Sequence, residues 1–122
     1  MRLRMVVLVA SLWPAFAFAQ DASGSYLSGN DLLEKCAGEK GTQDPNFCLG
    51  YVAGVVDTLV TAAGAKHWQT GVCLPETSFT IGQSKDVVTK YLREYPEFRH
   101  RVAANIAWRA LLVAFPCKEH SH

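Results

Sequence analysis

Four cysteines, Cys36, Cys48, Cys73 and Cys117, stand behind a short apolar leader that closes on the small-residue triplet Ala17-Phe18-Ala19. The leader has the parts of an export signal: Arg2 and Arg4 at its start, an apolar run over residues 5–12, and an A-x-A site before Gln20. Its apolar run is interrupted by Pro14 and falls short of the roughly 20 residues that span a bilayer, so cleavage after Ala19 is expected rather than anchoring. No lipobox cysteine follows. An exported chain meets an oxidising compartment, where paired cysteines staple a small core. Any fold built from this sequence must therefore bring the four cysteines together two by two.

Without residues 1–19 the chain has 103 residues, enough for one domain, with 10 Lys+Arg against 11 Asp+Glu. That balance recruits neither nucleic acid nor an anionic membrane surface. Disulfides supplement a core of this size by roughly 2 to 4 kcal/mol each.

Apolar periodicity reads as all-α, a disulfide-stapled bundle of about four helices. Residues 20–29 are small and polar and read as a flexible arm, with the ordered domain spanning 30–117 and a tail over 118–122. Asn30 is the expected N-cap of a first helix carrying Leu32, Leu33 and Cys36 and stopping near Gly38. Asp44 before Pro45 opens a second helix, whose apolar set Cys48, Tyr51, Val52, Val55, Leu59 and Ala62 runs to Gly64. From Ala65 to Gln83 there is no sustained period, so a long connection is expected, extended briefly near Val72. Thr80 with Gln83, or Ser84, caps a third helix over Val87, Val88, Tyr91, Leu92 and Tyr95. Pro96 ends it and starts a fourth, with Phe98, Val102, Ile106, Ala110 and Val113 inward, up to Pro116.

Four cysteines allow three connectivities, and spacing alone does not choose among them. An up-down order of the helices puts Cys36 and Cys48 at one end and Cys73 and Cys117 at a shared end, which favours those two pairs. The spacings lack the close C-x2-C pair of structural zinc sites, so no metal is expected.

Gly50 and Gly54 sit four apart inside the second helix, where each glycine costs roughly 1 kcal/mol relative to alanine. They predict a face that another helix approaches closely. Another helix of the same chain is the simpler reading, and a second copy in a homodimer is the other. Asp57 reads first as a partner in a structural hydrogen bond and second as a contact residue. Catalysis starts from little: there is no G-x-S-x-G or H-E-x-x-H, no cofactor motif, and four scattered histidines. His120 and His122 read as part of a solvated tail, and the mixed charges from Lys90 to Arg101 as the wet side of the last two helices.

Taken together, Gly29-Asn-Asp-Leu-Leu-Glu-Lys-Cys36, Cys48-Leu-Gly-Tyr-Val-Ala-Gly-Val-Val-Asp57, Cys73-Leu-Pro75, Gly82-Gln83, Val87-Val-Thr-Lys-Tyr-Leu92, Pro96 and Ala110 to Phe115-Pro116-Cys117 resemble the Rap/Tai immunity-protein family. The resemblance implies a small, periplasmic, helical, non-enzymatic protein. It further implies a cognate partner, a peptidoglycan amidase toxin delivered by type VI secretion. The motifs are framework residues, so contacts with a toxin do not carry over position by position. In such inhibitors a protruding segment plugs the enzyme's groove. That role is expected of residues 65–79, with Lys66, His67, Trp68, Gln69 and Glu76 as candidate contacts and residues 40–46 as a second exposed turn. Trp68 reads first as an edge of the core and His67 first as an ordinary surface histidine, with contact the second reading of each. The competing readings are a chaperone of the acid-stress HdeA type, which is also small, exported, helical and disulfide-bonded, and an orphan envelope protein of the same fold.

Overall fold

The computed structural model describes residues 26–65 and 69–118. The leader, most of the arm, Lys66, His67, Trp68, His120 and His122 lie outside the described residues. Four helices make the domain: α1 (Gly29–Ala37), α2 (Pro45–Ala63), α3 (Ile81–Glu94) and α4 (Ala103–Ala114), with a 3-10 turn, Pro96–Phe98, between the last two. Among the described residues there are no strands, only two isolated bridges, Ser28 with Val102 and Val72 with Pro116.

Local chemistry explains most of the boundaries. Asp44 accepts from the Phe47 amide at 2.9 Å, with Pro45 at the first helical position of α2. Thr80 and Gln83 form the expected reciprocal capping box of α3. The cap of α1 falls at Ser28, two residues before the expected Asn30. Ser28 Oγ accepts from the Asp31 amide while the Asp31 carboxylate accepts from the Ser28 amide at 2.8 Å. The Ser28 side-chain and then backbone hydrogen bonds lower the Asp31 pKa.

Every helix touches every other. Leu32 from α1, Val52 and Leu59 from α2, Val88 and Leu92 from α3, and Ile106 and Leu111 from α4 meet in one core. α2 is long and apolar enough to cross a membrane by length and composition, but here it lays Cys48, Val52, Leu59 and Ala62 into the bundle. The core face of α3 also carries Ser84, fully buried, whose hydroxyl has no hydrogen-bond partner among the described residues.

Both disulfides are the pairs that shared helix ends favour: Cys36 with Cys48 at a Cα separation of 5.0 Å, and Cys73 with Cys117 at 4.8 Å.

The fourth helix departs from expectation. It does not begin at Pro96 but at Ala103, after the 3-10 turn and a further turn over residues 99–101. The reason is tertiary. Residues 99–103 run against the entry to α1: Gly29 donates to the Arg101 carbonyl and Asn30 to that of Arg99, both at 2.9 Å, while Ala103 donates to Leu27 at 2.9 Å. These bonds satisfy amides that a helix start leaves without partners. They also rotate the buried face of α4 to Ala103, Ile106, Ala107, Ala110 and Leu111, leaving Val113 63% exposed instead of inward. Arg99 is likewise more than wet surface, because its guanidinium donates to the carbonyls of Leu92 and Arg93 at the end of α3.

The crossing requires a glycine. A methyl at Gly29 would lie 2.9 Å from the Arg99 carbonyl oxygen and would overlap the Ile106 side chain. Gly29→Ala is expected to destabilise the fold by about 1 to 3 kcal/mol, measured by chemical denaturation, despite alanine's better helix propensity.

Candidate functional site

Two surfaces stand out, both held by α4. The first is the connection from α2 to α3. Val72 is extended, and a short ladder fastens the segment to the end of α4: Cys73 donates to the Phe115 carbonyl and Cys117 to that of Gly71, each at 2.9 Å. The Cys73–Cys117 disulfide locks that register. Trp108 on α4 donates its indole N–H to the Thr70 carbonyl at 3.0 Å, across 38 residues of chain. Gly71 sits at φ +72 over Leu112, a backbone conformation and a close approach that both favour glycine.

Beyond this anchor the chain is exposed over residues 75–78. It returns through Phe79, which meets Phe115 edge to face with centroids 5.0 Å apart. Ser78, at φ +62, takes the left-handed conformation that non-glycine residues adopt at a cost. The segment is thus an exposed arch between two fixed feet, a preorganised shape for contact. Glu76 lies on the arch and Gln69 just before its anchor, and both are exposed. Lys66, His67 and Trp68 lie outside the described residues. Trp108, Thr70 and Gly71 hold the segment. No local pattern marks Thr70 or Gly71 for that role, which depends on a tertiary hydrogen bond and a close approach.

The second surface is a groove of about 460 Å³ between α2 and α4. Gly50 and Gly54 line it, and a Cβ at either would meet nothing within 4 Å. This corrects the simpler expectation for the pair: among the described residues no helix of the same chain uses their missing side chains. Tyr51, Val55, Leu59 and Trp108 supply the apolar walls. Burial raises the Tyr51 phenol pKa, with a backbone hydrogen bond to Ala104 acting in the opposite direction. Asp57 does not take the structural role: it is exposed and its side chain makes no hydrogen bond or ion pair among the described residues.

All four cysteines are in disulfides, so none is a thiolate nucleophile or metal ligand. Among the described residues no three His, Cys, Asp or Glu side chains gather to hold a metal. The second exposed turn, residues 40–46, is solvent-facing and tied at its end by the Asp44 amide to the Lys35 carbonyl.

Replacing Cys73 and Cys117 with serine should lower stability by about 2 to 5 kcal/mol and raise amide exchange over residues 69–79 above that in α2 and α3. Denaturation and hydrogen-exchange mass spectrometry would measure both effects.

Compared with known families, residues 28–117 match the model of the Rap1a immunity proteins. No curated protein and no solved structure matches the chain.

Proposed function

The chain belongs to the Rap1a immunity proteins, and from that premise we propose that it acts in the periplasm by binding and occluding a peptidoglycan amidase delivered by a type VI secretion system. The observation that carries this reading is the extent of the family match. It begins at the α1 cap, Ser28, and ends at Cys117, the residue whose disulfide closes the long connection.

Occlusion asks for a surface that keeps its shape in the free protein, because ordering a loose segment on binding subtracts from affinity. The arch over residues 75–78, with its two feet and its left-handed Ser78, supports that role. In this reading Gln69 and Glu76 contribute contacts, with Lys66, His67 and Trp68 between α2 and the anchored foot. The inhibitor contributes no chemistry of its own. It holds the enzyme over an interface of about 1,200 to 2,000 Å² and excludes substrate.

A homodimer belongs to the same proposal, formed across the groove at Gly50 and Gly54. The open glycines and apolar walls let a second helix approach closely. Gly54→Leu should leave the monomer folded, since its side chain meets open space, and should shift sedimentation equilibrium from dimer to monomer. A parent protein that sediments as a monomer overturns the dimer.

The functional test is capture from the organism's own secretome with the purified, oxidised protein, followed by titration of the retained enzyme. A single amidase, bound stoichiometrically at about nanomolar Kd and inhibited on binding, is the expected result. Many weak clients held only at low pH would replace this reading with the chaperone.

A further inference from the structure

Two arginines converge on one aromatic ring beside α4. The guanidinium carbon of Arg101 lies 5.0 Å from the Phe98 ring centroid, and that of Arg109 lies 5.9 Å from it. Either contact alone is an ordinary cation–π pair. Together they set two like charges against one ring. Among the described residues neither has a carboxylate partner, since the ion pairs there are Lys85 with Asp86 and Lys90 with Glu94. Arg99, the neighbouring cation, is committed to the carbonyls at the end of α3.

The ring and both guanidinium groups line a cavity of about 320 Å³. Tyr91 and Ile106 form its buried lining, while Arg101, Arg109 and Asn105 are exposed at it. An apolar interior under an unneutralised cationic edge selects an anion carried on an apolar body. The volume is at the low end for a small-molecule site and suits one or two side chains instead. Asn105 and Trp108 also line the groove at Gly50 and Gly54, so the two depressions adjoin along α4.

We propose that this cavity is a docking point for an acidic side chain flanked by apolar residues on a protein partner, with Arg101 and Arg109 receiving the carboxylate. Arg109, fixed on α4, and Arg101, just before it, supply charge-assisted hydrogen bonds, and Phe98 keeps both guanidinium groups oriented. The inference rests on the reading of this chain as a protein-binding inhibitor. Its test needs no toxin, so each can fail without the other.

The probe is the peptide acetyl-Leu-Glu-Leu-amide, titrated into isotope-labelled protein while the arginine Nε–Hε resonances are followed. Arg101 and Arg109 should shift saturably and Arg93 should not. Binding should weaken about ten-fold or more for the Leu-Gln-Leu peptide, and similarly in about 0.5 M salt. It should be lost in the Arg101→Gln, Arg109→Gln double variant with the circular dichroism of the parent. If that double variant loses its fold, each single substitution carries the same comparison. Equal binding of the glutamine peptide, no saturable shift at either arginine, or inorganic phosphate binding as tightly as the peptide would each overturn the proposal.

Discussion

The close crossing of two backbones at Gly29 is the contact on which the remaining architecture depends. There the start of α1 donates its first amides to the carbonyls of Arg99 and Arg101, with no room for a side chain between them. One set of hydrogen bonds does three things. It ends the helical potential that Pro96 begins, starts α4 at Ala103 and rotates that helix so that a small-residue face, Ala103, Ala107 and Ala110, packs inward. The core then closes around Leu32, Val52, Leu92 and Leu111, each essentially excluded from solvent. The same break leaves Phe98 and Arg101 outside α4, opposite Arg109 on it.

α4 also frames both candidate surfaces. Its C-terminal end is stapled to the α2–α3 connection through Cys117, Trp108 anchors Thr70, and the groove at Gly50 and Gly54 uses Ala104, Asn105 and Trp108 as one wall. The irregular α2–α3 connection is fastened to this end of the fold by a disulfide and an indole hydrogen bond. The disulfide limits the unfolded chain as well as the folded one, and the indole hydrogen bond fixes where the connection lies rather than only that it closes. In contrast, α2 keeps apolar surface in solvent, with Val60 59% exposed.

Several features are legible in the amino-acid sequence because their causes are local. Asp44 with Pro45, and Thr80 with Gln83, satisfy amides within one turn, so the starts of α2 and α3 follow from a few adjacent residues. The period of Cys48, Val52, Leu59 and Ala62 names the buried side of α2. The all-α class and the two disulfide pairs follow from helix order, since cysteines at a common end have only short distances to cross. The motif combination also carries the family, because it records a framework rather than an interface.

Other features are decided by contacts distant in sequence. Asn30 is as good a cap as Ser28 by residue type. Ser28 takes the role because its backbone is held extended against Val102. Pro96 could begin a long helix, and does not, because residues 99–103 find better partners at α1. Gly50 and Gly54 carry the same pattern whether a helix covers them or not, and only packing shows that among the described residues none does. Arg101 and Arg109 look like ordinary surface charges until one ring gathers both. Capping and periodicity are set by neighbours within a few residues and are therefore written in the sequence. Which backbone crosses which, and what is left open afterwards, depends on the simultaneous fit of all four helices, and that fit exists only in the folded chain.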